Sequence, residues 1–225
     1  MASKKHDIFW ISYADLLTSL FFIVLVLFAI TFFKYNQKVE NLEKKLEVFR
    51  LVEKSLEPLK EKKDIFRYES EYKRFVLAEE VSFNISKTDV TPNDVKDYER
   101  KSKYLLKVGK GLKNTLDTIA YNRNKNTGLK EVSYLLIISG YASKLSVANE
   151  AEDYNLSYDR AYNLWRFWKR AGIDFEDPKY KEFIDLQIAG NGWGGMGRLP
   201  SKNNSEEEGN QRFIIQIIPK TKNID

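Results

Sequence analysis

The chain has 225 residues and a mass of 26.4 kDa, room for one or two compact domains and too little for a large multidomain enzyme. Lys and Arg number 37 against 32 Asp and Glu, a net charge of +5, which is too small an excess to make nucleic acid the expected partner, and no direct nucleic-acid binding is expected. Cysteine is absent and His6 is the single histidine, so thiol chemistry, disulfides, zinc-thiolate and iron-sulfur sites, multi-histidine metal sites and histidine-based triads are all excluded, and no enzyme and no cofactor are expected. His6 itself lies in a charged N-terminal stub and reads as a solvated tail residue. The mean hydropathy of −0.48 averages two unlike parts, because the first forty residues are strongly apolar.

From Ile8 to Phe33 the only charged residue is Asp15. About 20 apolar residues at 1.5 Å rise cover the ~30 Å hydrocarbon layer, so residues 8–33 are expected to form a transmembrane helix behind a stub of residues 1–7. Trp10 and Tyr13 fall near one interface, and Phe32, Phe33, Lys34 and Tyr35 near the other. The apolar run is too long for a signal peptide and lacks a small-x-small cleavage site. Lys4 and Lys5 nearly balance Lys34 and Lys38, so the positive-inside count leaves the orientation open; the short stub fits an N-terminus inside with the remainder exported.

Asp15 lies about two helical turns inside the apolar stretch. A carboxylate within a membrane costs at least ~2.5–3.5 kcal/mol on insertion scales and marks a functional site by default. Apolar surroundings favour the neutral acid, so Asp15 is suited to taking up and releasing a proton. Thr18 and Ser19, three and four residues on, share its helix face and offer hydroxyl partners, with Tyr13 beside them. The bland reading places Asp15 at the headgroup boundary, hydrated and inert.

Phe32, Tyr35, Val39, Leu42, Leu46 and Phe49 alternate spacings of three and four, a seam of about three heptads. Two readings stand: a parallel coiled-coil dimer continuing the membrane helix, or a solvated amphipathic linker packing on its own domain. Residues 52–73 are charge-dense and interrupted by Pro58, which reads as a spacer, so residues 34–73 are expected to be coiled coil and linker.

A compact domain is expected over residues 74–220, with residues 221–225 as a tail. Val81, Phe83 and Ile85 alternate as a half-buried strand. Thr91 followed by Pro92 predicts a helix start, and Tyr98, Leu105, Leu106, Val108, Leu112, Leu116 and Ile119 mark its amphipathic course, with Gly109 and Gly111 as points of interruption. Tyr134 to Ile138 reads as a central strand ended by Ser139-Gly140. A second helix is predicted from Ser157, with Ala161, Leu164, Trp165, Trp168 and Ala171 on one face and Gly172 as its C-cap. Leu186 to Ile188 reads as a strand, residues 190–209 as a loop, and Arg212 to Pro219 as the last strand. The sum is an α/β domain of one mixed sheet with packed helices.

Two stretches resemble one family. Phe9-Trp10-Ile11-Ser12-Tyr13-Ala14-Asp15-Leu16-Leu17-Thr18 resembles the signature that opens the membrane helix of MotB-type ion-driven stator subunits. Asn155-Leu156-Ser157 with Arg160-Ala161, Gly190-x-Gly192, Pro200, Glu208-Gly209 and Asn210-Gln211-Arg212-Phe213 resembles the OmpA-like peptidoglycan-binding domain. The resemblance implies a homodimer threaded through a pentamer of a MotA/ZorA-like multi-span partner in a bacterial inner membrane, N-terminus cytoplasmic and C-terminal domain periplasmic. It implies proton-driven rotation through Asp15 and wall contacts at Arg160, Asn155, Ser143, Asn210 and Arg212. Sodium is the less expected ion, because it needs several oxygen ligands that one helix does not readily display.

Where OmpA-like domains end the central strand in glycine-histidine-threonine-aspartate, this chain has Gly140-Tyr141-Ala142-Ser143. The acid that usually binds the ammonium of the peptidoglycan diamino acid is therefore replaced by Ser143, while Arg160, matching the arginine for its carboxylate, is kept. Glu150, Glu152 and Asp153 are the candidates to replace the acid, and the plain reading of Arg160 is an ion pair within the domain. The form of the membrane motif and the short stub most resemble the B subunit of the Zorya anti-phage defence system, with a flagellar or other motility stator as the alternative. A passive cell-wall tether is the rival from a different class, and a wall hydrolase is disfavoured because the chain has no cysteine, no domain histidine for a metal or a triad, and no acid pair of recognisable spacing.

Overall fold

The computed structural model describes residues 3–125, 129–130, 132–144, 150–194 and 198–221, with the main chain alone in residues 3–9, 11, 12, 150, 204, 205 and 221. The described residues divide into two units, one ending at Phe49 and one beginning at Arg50. The first is built on α1, a helix running Ser3–Lys60. From Tyr13 onward α1 is long and apolar enough to cross a bilayer, with a mean hydropathy of 2.8 in its most apolar 18-residue window and none of that window buried. The seam is uncovered, with Tyr35 64% and Leu42 56% exposed.

The second unit carries a five-stranded sheet in the order β1-β2-β5-β3-β4, from β1 (Phe66–Glu69), β2 (Arg74–Leu77), β3 (Val132–Gly140), β4 (Ile184–Gly190) and β5 (Phe213–Thr221). Only β3 and β4 run parallel, so the sheet is mixed, as expected. Helices α2 (Tyr98–Lys125) and α3 (Glu150–Arg170) pack together through Trp168, whose indole N–H donates to the Leu105 carbonyl at 2.7 Å. A short α4 (Asn204–Glu208), capped by Asn203, interrupts what reads in sequence as one loop.

Several local expectations are corrected. Residues 52–73 are no bare spacer: Val52, Ser55 and Leu59 are buried on the last turns of α1, and β1 and β2 form a hairpin just beyond. Pro58 falls in the last turn, where its missing N–H removes one hydrogen bond and the helix ends two residues on. Val81 and Phe83 are buried in an extended segment that joins no sheet; it pairs locally at Phe83 and Val95 and leaves Ile85 exposed, so alternation alone misled. Pro92 lies in a turn closed by the Asp94 and Val95 N–H groups on the Thr91 carbonyl, and α2 begins only at Tyr98. α3 begins at Glu150, seven residues before Ser157. α2 runs unbroken through Gly109, because that glycine makes room for a neighbour: a Cβ there would stand 2.6 Å from the Trp168 ring. Residues 222–225 of the expected tail lie outside the described residues.

The tightest contact joins β3 to α3. A Cβ on Gly140 would stand 2.1 Å from the main-chain oxygen of Ser157, and backbone cannot swing aside as a side chain can. Gly140→Ala is expected to destabilise the domain by about 1–3 kcal/mol, read as a lower thermal midpoint by circular dichroism. An unchanged midpoint would refute this packing.

A second contact, from α2 to the 177–183 turn, is polar. Asp117 accepts hydrogen bonds from Tyr180 (2.5 Å), Lys179 (2.7 Å) and Lys113 (2.9 Å). Partial burial pulls its carboxyl upward, but these donors outweigh that and hold it near 2, below the ordinary 3.8. A depressed acid stabilises the fold above its unfolded value and loses that contribution as pH falls. The stability difference between wild type and Asp117→Asn is therefore expected to be constant above pH about 4 and to shrink toward pH about 2. A difference that persists unchanged through this window would contradict the assignment.

Candidate functional site

The buried face of α3 changes character along its length. Ala161, Leu164 and Trp168 are fully buried core residues, while toward the start of the helix the buried side carries Asp153, Ser157 and Arg160, all at most 3% exposed. Positions 153, 157 and 160 follow the helical repeat, so an apolar stripe ends in a buried acid, hydroxyl and guanidinium. Ser157 is structural: its hydroxyl donates to the Tyr154 carbonyl and accepts from the Gly192 N–H, each at 2.8 Å.

Arg160 lies with its guanidinium carbon 4.5 Å from the Phe83 ring centroid, and its Nε donates to the Lys87 carbonyl at 3.1 Å. Its Nη1 is enclosed with no hydrogen-bond partner among the described residues. Burial pulls the guanidinium down to about 10, partly opposed by Asp153. Asp153 is in turn pushed up by burial and by Glu152, against the pull of Arg198 and Arg160. Of the three acids weighed for the missing position, Asp153 is the buried one beside Arg160; Glu152 is exposed, and the side chain of Glu150 lies outside the described residues.

Ser143, just past the end of β3, accepts from Gln211 Nε2 at 3.0 Å, and Gln211 Oε1 accepts the Phe83 N–H at 2.9 Å. Gln211 thus joins Ser143 to the segment under Arg160, a role that sequence reasoning missed because a glutamine beside a strand has no distinctive spacing. Asn210 is 1% exposed and its amide is occupied by the Leu199 main chain, accepting at 2.8 Å and donating at 3.1 Å. Glu207, also missed, gathers Ser201, Arg198 and the Lys144 N–H, which donates at 2.6 Å. Asn155 is exposed on α3. Arg212 points to the opposite face of the sheet, since Phe213 pairs with Gly140 on the α3 side and alternation turns its neighbour away.

On α1, Asp15 and Ser19 line one surface groove with Leu16, Leu20 and Ile23. The Thr18 hydroxyl donates to its own helix at the Ala14 carbonyl, 2.8 Å away, so Ser19 is the hydroxyl in the groove of the acid. Tyr13 packs edge-on to Trp10 at 6.2 Å between ring centroids. Among the described residues no group of three or more His, Cys, Asp or Glu is placed to hold a metal ion.

No protein-family model matches the chain, and no curated protein matches it in sequence. Among solved structures it is similar to the periplasmic domain of Helicobacter pylori MotB, at 14% identity over 70% of this chain and 88% of that one, with a TM-score of 0.38. A MotB-like protein from Desulfovibrio vulgaris is 13% identical over 80% and 98% of the two chains, TM-score 0.36. An OmpA-like domain from Francisella tularensis is 16% identical over 69% and 79%, TM-score 0.36.

Asp153 offers a direct check on the site. An acid held above its ordinary 3.8 is destabilising when ionised, and that cost disappears once the pH is below the unfolded value. Asp153→Asn is therefore expected to raise the thermal midpoint near pH 7 and to leave it unchanged below pH about 3.8. A variant less stable than wild type at neutral pH would show that the acid is satisfied by its neighbours.

Proposed function

We propose that this chain is the B subunit of a proton-driven rotary membrane motor of the Zorya-like anti-phage type. In this reading two copies pair along the seam and thread through a MotA/ZorA-like ring, and protonation of Asp15 couples ion flow to rotation. One charge crossing 100 mV releases about 2.3 kcal/mol, enough to drive such a step. The C-terminal domain holds peptidoglycan, with Arg160 for the carboxylate of the diamino acid and Asp153, in place of the acid absent at Ser143, for its ammonium. The N-terminus is cytoplasmic and the domain periplasmic.

The observation that carries the reading is the single acid of the apolar stretch from Ile8 to Phe33, sharing a groove with Ser19. A passive tether gains nothing from that acid. The wall-binding part is supported by the enclosed, unpartnered Nη1 of Arg160 beside a buried Asp153.

Asp15→Asn, expressed with its multi-span partner, is expected to abolish protection against phage while leaving expression and wall binding intact; retained protection would leave the tether. In a pull-down with purified peptidoglycan, Arg160→Lys and Asp153→Asn are each expected to lose binding at least about tenfold, since unpairing a buried charge commonly costs 2–5 kcal/mol. Because the chain has no cysteine, Leu42→Cys gives a clean test of pairing. Oxidised membranes are expected to yield a disulfide-linked dimer, and a monomer under those conditions argues against the coiled coil.

A further inference from the structure

The sheet face opposite α3 holds an excess of buried cation. Strand pairing sets Arg67 opposite Val76 and Glu69 opposite Arg74, and Val76 opposite Ile214, so Arg67, Glu69, Arg74 and Arg212 share that face. Arg74 grips one Glu69 oxygen through Nε and Nη2, each at 2.7 Å. Arg67 and Arg212 reach only within 3.8 and 4.0 Å of the other oxygen, outside hydrogen-bond distance. Three guanidinium groups thus converge on one carboxylate.

Arg212 is 6% exposed, and its Nε, Nη1 and Nη2 are all enclosed with no hydrogen-bond partner among the described residues. The Tyr141 ring lies 5.7 Å from its guanidinium carbon, but a ring and a carboxylate at 4.0 Å leave the desolvated N–H groups without hydrogen-bond acceptors. Beside it lies a cavity of about 300 Å³, bordered by Arg67 and Arg212 and walled by Val76, Leu77, Ala78 and Leu199. Two more acids border it. Glu79 is neutralised by Arg100 at 2.7 Å and Lys101 at 3.0 Å, which leaves Glu80. Three guanidiniums against Glu69 and Glu80 leave one positive charge. Burial lowers the Arg212 guanidinium from its ordinary value, opposed by Glu69 and Tyr141 and reinforced by Arg74 and Arg67.

We propose that this cavity binds the carboxylate of a small aliphatic acid or peptide end, with Arg212 and Arg67 as its anchors. One carboxylate supplies the missing charge, and its planar oxygens match the guanidinium fork in a bidentate pair. The aliphatic walls take the alkyl part. A phosphate dianion brings one charge too many. The site lies on the far side of the sheet from Arg160 and stands independently of the wall-binding reading.

The test is ligand-dependent thermal stability of the full-length protein in detergent at constant ionic strength, with N-acetylalanine as probe and N-acetylalaninamide and inorganic phosphate as comparisons. N-acetylalanine is expected to raise the midpoint saturably, the amide to leave it unchanged, and phosphate to act more weakly. Arg212→Met is expected to abolish the response with a ligand-free midpoint at or above wild type. Arg67→Gln, at an exposed side chain, is expected to weaken apparent affinity about tenfold, as loss of one charge-assisted hydrogen bond does. Equal response to acid and amide, no response, phosphate acting as strongly, or an unchanged response in Arg212→Met would each overturn the proposal. If Arg212→Met fails to fold, unchanged affinity in Arg67→Gln overturns it. Loss of the response in Arg160→Met would move the ligand to the α3 site and overturn it equally.

Discussion

Backbone meets backbone where α3 crosses β3 and β4. Gly140 brings its strand against the main-chain oxygen of Ser157, and a Cβ on Gly190 would come within 2.6–2.7 Å of Tyr158 N, Ser157 Oγ and the Tyr154 carbonyl. At that separation no side chain fits between helix and sheet. The Ser157 hydroxyl fills what space is left by bridging Tyr154 and Gly192. The polar groups on the buried face of α3 depend on this approach, with Asp153 and Arg160 at most 3% exposed.

Charge in such surroundings is the second theme, and the chain handles it differently in each place. Asp117 is surrounded by three donors and is held ionised. Arg160 is satisfied at Nε and by the Phe83 ring but keeps Nη1 open. Arg212 has no hydrogen-bonded acceptor among the described residues. The first pattern belongs to a structural tie, since a fully partnered charge gains nothing from a ligand. The other two leave a buried donor that an incoming oxygen would satisfy, and the free energy of that hydrogen bond becomes available to binding.

Much of the domain was legible in the residues. The runs at Tyr134 to Ile138 and Leu186 to Ile188 form β3 and β4, and of the predicted face of α3 Ala161, Leu164 and Trp168 are core, whereas Trp165 is half-buried and Ala171 is exposed beyond the helix end. Period and apolar content were enough there because each element buries one face. The failures share a cause. In β1, Phe-Arg-Tyr-Glu alternates aromatic and charged residues because its other face joins the arginine cluster, with Arg67 reaching solvent. At residues 81–85 the alternation is genuine, but whether it joins a sheet depends on partners distant in sequence. Gly109 looks like a helix breaker until Trp168, 59 positions on, is seen to need its space. In the candidate site, Arg160 stood out, whereas Asp153 was one acid among three and Gln211 lay in a quoted motif with nothing to mark its bridging role.

The sequence by itself determined which chemistries are open: without cysteine, with one histidine and with one acid in an apolar run of membrane-spanning length, this chain is left with buried carboxylates and guanidiniums. It also determined the order of the helices and central strands, since both follow from local periodicity. Only the tertiary structure decided which charges are buried, which of them are paired, and which sheet face each arginine occupies. Desolvation and hydrogen bonding depend on atoms brought together from distant positions, so the burial of Asp153 and Arg160, and an Arg212 without a hydrogen-bond acceptor among the described residues, appear only once the sheet is assembled.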